Sequence, residues 1–389
     1  MDLILVATIV TVALAVLFDF TNGFHDSANS TATVVATRSL SPRVAVVLAA
    51  VFNFLPAFVV GTAVANTITK TVQLGDLPTV AAGAVPYGVR LTLAALLGAI
   101  FWNFFTWHRG LPSSSSHALI GGLVGAGIAA GGMGAVNWNT MKDIVIAIVA
   151  SPVVAGVVAI LAVIIILLMT KVFKLHEDHV VYQVGQIASS CWVSWGHGSN
   201  DAQKTMGVVA ATLFAGGYLG DMDASHLEPP TWVIFGAHAA IAAGTLYGGW
   251  SIIETMGLKI TKITRATGLA ANIGALVSIN GATNFGIPIS TTQAVSSSIV
   301  GSGVGARRRV NWLVMRDMVI AWVFTMPVAA VIGFVVFQLT VLPGVLAYVA
   351  TAAAIVALVI YAVILMRGAM TAEDVAEELP SEAELIGAT

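Results

Sequence analysis

Apolar runs recur along nearly the whole chain, and several, such as Val44 to Ile68 and Ile144 to Met169, are long enough to cross a bilayer as helices. Polar, glycine-bearing stretches interrupt them. "FTNGFHDSANS" (residues 20–30) and "WGHGSNDAQK" (residues 195–204) read as breaks inside otherwise apolar segments. "GLPSSSSH" (residues 110–117) and "GIPISTTQ" (residues 286–293) each set a proline just before a helix too short to span comfortably. Irregular backbone at membrane depth survives only where it is buried in protein or lines a cavity, so the breaks mark a site. The pattern predicts an all-α polytopic membrane protein with broken or re-entrant helices and about 11–12 membrane segments.

Composition agrees. Of 389 residues, 58% are hydrophobic and only 9% are charged, and the mean hydropathy is +0.92. A soluble domain carries roughly a quarter of its residues as charges, so most of this surface faces lipid. The net charge of −2 and the lack of a basic face beyond Arg307, Arg308 and Arg309 argue against nucleic acid as a partner. The single cysteine, Cys191, excludes a disulfide framework and a cysteine-ligated metal. Residues 1–18 lack a basic start and a small-residue cleavage site, and read as the beginning of the first transmembrane helix rather than a signal peptide. The acidic stretch at 371–389 reads as a solvated tail with room for a short helix.

The chain also repeats itself at an offset near 175 residues. "NGFHDSAN" aligns with "HGSNDAQK", setting Asp26 against Asp201. "GLPSSSSH" aligns with "GIPISTTQ", setting Pro112 against Pro288. "VNWNTMKDIVIA" (residues 136–147) aligns with "VNWLVMRDMVIA" (residues 310–321), followed by Pro152 and Pro327. The predicted organisation is a first repeat over 1–175, a second over 176–341, a final transmembrane helix over 342–367 and an acidic cytoplasmic tail over 368–389. Basic residues favour the cytoplasmic side. One arrangement puts Arg38, Arg43, Lys171, Lys174, Lys259, Lys262, Arg265, Arg307 to Arg309, Arg316 and Arg367 inside, and Lys70, Arg90 and Lys142 outside. The loop after the second motif, with Asp221, Asp223 and Glu228, carries no basic residue. This requires an odd number of crossings per copy, hence inverted repeats; parallel copies would put the 259–265 cluster on the wrong side. Inverted repeats with interrupted helices are the architecture of secondary transporters, with the site near the bilayer midplane where the copies meet.

Asp26 and Asp201 lead the candidates. A carboxylate at membrane depth is costly unless paired, protonated or bound to a cation, and two held close cannot both ionise without a proton or cation between them. The plain alternative is that each caps a following helix. Ser113 to Ser116 and Ser290, Thr291 and Thr292 follow G-L-P and G-I-P and open helices; free N–H groups, a positive dipole and added hydroxyls suit a tetrahedral oxyanion. Asn29, Asn200 and Gln203 add neutral donors and acceptors. Lys204 either pairs with the anion or an Asp, or snorkels. His25, His117 and His197 lie within or beside the breaks, where a proton relay and a packing role are both open. Asn53 and His238 fall at matching places in the third helices. His108, His176, His179 and His226 read as interface or loop residues, and Glu254 is a weaker candidate. Asp143 and Asp317 read as helix caps.

At these motifs the chain resembles the inorganic phosphate transporter (PiT) family, whose members carry a duplicated G-x-N-D signature. "GFHDSAN", "GLPSSSSH", "HGSNDAQK" and "PISTTQ" all match, and the similarity runs from about residue 3 to 365. The resemblance implies a secondary active transporter that imports inorganic phosphate, alone or as a metal–phosphate, by symport with H⁺ or Na⁺. It needs no cofactor and is no enzyme. Phosphate would be held by Ser114, Ser115, Asn200, Gln203, Ser290, Thr291 and Thr292. The coupling cation would sit at Asp26, Asn29 and Asp201, with Asp26 and Asp201 also serving a co-transported divalent metal. His25 stands in the first motif where many members have Asn, as in the bacterial low-affinity branch, whose members resemble proton-driven carriers; Gln293 stands where a His often follows the hydroxyl run. The implied setting is a bacterial plasma or inner membrane, with the C-terminus cytoplasmic and a homo-oligomer allowed. A sulfate permease on the same scaffold is the nearest rival, and an anion channel a further one. No nucleophile–base pair or nucleotide-binding loop suggests an enzyme.

Overall fold

The computed structural model describes residues 2–220, 222–223 and 226–379; Asp221 and the tail at 380–389 lie outside the described residues. Its helices are α1 (Leu3–Asp26), α2 (Ala28–Ala36), α3 (Pro42–Phe54), α4 (Ala63–Thr69), α5 (Tyr87–His108), α6 (Ser115–Gly131), α7 (Trp138–Val172), α8 (Val180–Ala215), α9 (Thr231–Tyr247), α10 (Trp250–Glu254), α11 (Arg265–Asn284), α12 (Thr291–Gly305), α13 (Trp312–Thr340), α14 (Val345–Met366) and α15 (Ala372–Glu378). Among the described residues five spans are long and apolar enough to cross a membrane. A sixth is possible by pairing Pro42–Phe58 with Ala63–Thr69 across an 84° bend. The apolar run Val44 to Ile68 is thus a bent element rather than a straight span. Pro56 begins the kink: it lacks the N–H that would continue the helix, and four residues of tighter 3₁₀ turn follow α3.

Contacts between helices come in exchanged pairs. Helix α6 packs on α13 as α12 packs on α7, α5 on α13 as α11 on α7, and α1 on α9 as α8 on α3. That exchange is the signature of a pseudo-twofold axis relating the copies. The copies are also inverted. At one end of the molecule Gln183 donates to the Ser39 carbonyl, Arg265 meets Asp178 and Arg308 meets Glu177. At the other, Gly216 after α8 lies against Thr8 near the start of α1, and Gly88 meets Leu74 and Ala215. The span holding α1 and α2 is 34 residues, roughly 50 Å at 1.5 Å per residue, so the loops following the two motifs emerge at opposite ends. Arg90 lies at the Thr340 end, away from the end that holds Arg265 and Arg308.

Tight helix contacts rest on small residues. A Cβ on Gly125 of α6 would lie 1.9 Å from the Ala330 carbonyl oxygen of α13, and one on its counterpart Gly301 of α12 would lie 2.3 Å from that of Gly156 in α7. Backbones approach this closely in membranes because dispersion, rather than exclusion of water, holds helices together.

Three expectations need correction. The second motif is not a break: α8 is helical throughout its 36 residues. Its glycines instead allow contact, since a Cβ on Gly198 would fall 2.3 Å from the Asn53 carbonyl oxygen. Even the first motif departs from helix only at Ser27, whose backbone stays in the αR region. Asp143 and Asp317 do not cap. Asn137 and Asn311 do, accepting from the Thr140 and Val314 amides, because these stand at the N-cap positions while the aspartates lie a turn and a half inside. Finally, part of the tail is docked rather than solvated. Val375 is fully buried, Arg43 pairs with Glu373, and Arg38 donates to the Leu379 carbonyl at 3.2 Å.

Candidate functional site

The irregular backbone that builds the site lies in the two proline loops. Gly110 and Gly286 both adopt positive φ, +59° and +67°, a conformation open to glycine because it lacks a Cβ. Each turns the chain into the short segment ending at an N-cap serine. Ser114 accepts from the His117 amide and Ser290 from the Gln293 amide, both at 3.2 Å. The tips of α6 and α12 then meet. Ser116 donates to the Ile289 carbonyl at 3.1 Å, and Lys204 bridges them, donating to Ser116 Oγ at 2.5 Å and the Ile289 carbonyl at 2.9 Å. Lys204 also pairs with Asp201 Oδ1 at 2.6 Å. It is buried and does not snorkel.

Asp26 and Asp201 face one centre. The Thr291 hydroxyl lies 3.4 Å from Asp26 Oδ2 and 3.5 Å from Asp201 Oδ2. His197 Nε2 lies 3.8 Å and 3.6 Å from the same two oxygens. Neither aspartate is an N-cap: Asp26 ends α1 and Asp201 lies inside α8. Asn53 donates through its amide nitrogen to Thr245 Oγ1 at 2.8 Å, which turns its oxygen toward His197 Nδ1 at 3.1 Å. Nδ1 therefore carries a ring proton. Nε2 has no hydrogen-bond partner and faces two carboxylate oxygens. One ligand atom from each of Asp26, His197 and Asp201 fits within 4.8 Å. Three buried electron-rich atoms at that spacing repel unless a proton or metal cation joins them.

The other expected residues divide into two groups. Asn29 donates to both Thr291 and Thr292 Oγ1 at 3.2 Å, and its amide oxygen is free. Ser115 Oγ is buried without a partner. These, with Ser114, Ser290, Thr291 and Thr292, line the junction of the tips. Asn200 and Gln203 instead hold backbone. Asn200 donates to Thr283 Oγ1 and the Ile287 carbonyl, fixing the approach to α12. Gln203 accepts from the Val64 amide at 2.8 Å and so satisfies a buried first-turn N–H of α4. His25 bonds Asp26 Oδ1 at 2.7 Å and sits against Thr106 and Ser113 at 3.0 and 3.2 Å. Glu254 lies outside the site and pairs with Lys259.

Sequence reasoning passed over Asp19. It is fully buried in α1 and accepts from Thr205 Oγ1 at 2.6 Å. Its signal was present: Asp19, Asn22, Asp26 and Asn29 recur at helical spacing along one face of an otherwise apolar run.

The model of the Phosphate transporter family matches residues 22–333. The chain belongs to this family. A Bacillus subtilis relative named "probable low-affinity inorganic phosphate transporter" is 42% identical over 338 residues, covering 87% of this chain and 98% of the relative. A Rhizobium meliloti protein of the same name is 44% identical over 328 residues, covering 83% and 93%. Among solved structures, one titled "The sodium-dependent phosphate transporter" aligns with a TM-score of 0.72 at 26% identity, covering 87% of this chain and all of that one. Family membership agrees with the multi-pass helical architecture and with the motif pairs that form the site.

Proposed function

We propose that this chain imports inorganic phosphate by symport with H⁺ or Na⁺, by alternating access about the junction of α6 and α12. One observation carries the reading: two inverted helix tips converge on a hydroxyl, that of Thr291, lying within reach of two buried carboxylates. Helix N-termini with Ser114, Ser115, Ser290, Thr291 and Thr292 present N–H and O–H donors to an oxyanion. Lys204 brings a positive charge to the same place. Asp26 and Asp201, with Asn29, hold the coupling cation, and His197 Nε2 adds a third ligand atom. Two carboxylates and an imidazole also suit the divalent metal of a metal–phosphate. Asn200 and Gln203 act by positioning the backbone that flanks the anion.

Phosphate is favoured over sulfate by hydrogen bonding. Hydrogen phosphate can donate to an ionised aspartate, whereas sulfate has no proton to give. The reading places the protein in the bacterial plasma membrane with its C-terminus in the cytoplasm. No cofactor or enzymatic step is needed. The test is uptake of radiolabelled phosphate into proteoliposomes under separate pH and Na⁺ gradients, with unlabelled sulfate as competitor. Accumulation above the phosphate gradient, insensitive to sulfate, is expected. Uptake that never exceeds the anion's own electrochemical gradient would make the protein a channel, and equal uptake of sulfate would make it a sulfate carrier.

A further inference from the structure

Asp19 stands apart from this pocket. It lies two helical turns before Asp26 on α1, and its one hydrogen-bond donor, Thr205, belongs to α8 in the other copy. Its second oxygen, Oδ2, is buried with no partner. Among the described residues, Asp201 and Lys204, both on α8, are the charged groups that act on it. Lys204 cannot serve it, because its three ammonium protons go to Asp201, Ser116 and the Ile289 carbonyl. Asp201 repels it. None of α5, α6 with its His117, and α9, the other helices packed on α1, contributes a charge to Asp19. An ionised carboxylate so placed would be a buried, unpaired charge in the middle of a membrane protein, a costly state. A protonated one removes that charge and keeps the Thr205 bond on its other oxygen.

We propose that Asp19 is a proton-binding site at the seam between the two copies, distinct from the Asp26–His197–Asp201 centre, and that the proton it takes up and releases is coupled to phosphate movement alongside the cation held at that centre. The inference rests on the transport reading above. The geometry gives it a route to coupling. The Thr205–Asp19 bond joins α1 to α8, and so does the bond from Asn22 to Asp201 Oδ2 at 3.4 Å. A neutral Asp19 can remain in the closed, dry seam. An ionised Asp19 needs water, which only a parted seam admits. Loading or losing one proton therefore biases the packing of the helices that carry the two motif aspartates.

The experiment compares the full-length wild type, Asp19→Asn and Thr205→Val in proteoliposomes. Asp19→Asn is expected to lose accumulation driven by a pH gradient while keeping exchange of labelled for unlabelled phosphate at equal pH. Thr205→Val should keep accumulation but shift its pH profile, since the hydroxyl bonds the titrating group. A second readout needs no phosphate. Infrared spectra of the wild type should show a protonated-carboxyl C=O band that Asp19→Asn lacks and that titrates at a different pH in Thr205→Val. Wild-type accumulation in Asp19→Asn, or an unchanged carboxyl band there, overturns the proposal. Loss of Na⁺-driven rather than pH-driven uptake also overturns it, by making the site one for sodium. If the wild type itself exchanges no phosphate, the transport reading fails, and the infrared comparison still decides whether Asp19 holds a proton. If Asp19→Asn does not fold, the band shift between wild type and Thr205→Val decides.

Discussion

Lys204 is the residue on which the site's charges balance. Its counterpart at the 175-residue offset is Asn29, so one copy contributes a cation where the other contributes an amide. Truncating it should leave Asp201 buried and unpaired. Lys204→Met is expected to destabilise the detergent-solubilised protein by about 3–5 kcal/mol, and Lys204→Met with Asp201→Asn by much less, because breaking a buried pair costs more than removing it. Thermal unfolding of the two variants is the check. Asp26→Asn and Asp201→Asn should fold and yet lose gradient-driven uptake; full transport in either would remove its coupling role. The motif aspartates and hydroxyls could be read from sequence because polar residues in apolar, repeated runs have few structural reasons to exist. The backbone-holding work of Asn200 and Gln203 could not, since it depends on partners far away in the chain, at Ile287 and Val64.

At the scale of elements, the proline loops were legible and the continuity of α8 was not. A positive-φ glycine before proline and hydroxyls is a local signal. Whether "WGHGSNDAQK" bends or stays helical depends on what packs against its glycines, and α3 supplies that contact through Asn53. Glycines at such crossings tolerate no growth. Gly125→Val and Gly301→Val should each reduce the yield of folded protein sharply, since the added atoms would meet backbone carbonyls, and overpacking typically costs 1–3 kcal/mol or more; size-exclusion profiles in detergent report it. Helix α15 supplies a pH test. Contact with the Glu254 carboxyl pushes that of Glu378 up, so this contact favours the docked tail at acid pH and is lost as pH rises through the raised value. Glu378→Gln keeps a hydrogen-bond donor without needing a proton. It is expected to slow proteolytic clipping of the tail at neutral pH and to have no effect at acid pH.

At the scale of the whole molecule, inversion was foreshadowed by basic residues alone; the exchanged helix contacts pair the copies, and the contacts at the two ends of α1, α2 and α8 set them antiparallel. Single cysteines placed in the loop at 37–41 and in the loop at 216–230 should react with a membrane-impermeant thiol reagent from opposite sides of sealed vesicles; labelling from one side would contradict the arrangement. The symmetry is nonetheless imperfect where it matters most. With Lys204 on one side of the axis and Asn29 on the other, exchanging the two copies' conformations does not regenerate the same binding centre. An anion held there meets a different electrostatic landscape when approached from each face. Such a carrier behaves as a rectifier: the phosphate concentration that half-saturates it should differ between the two membrane faces, and Lys204→Asn, which makes this pair of positions alike, should narrow the gap between the two values.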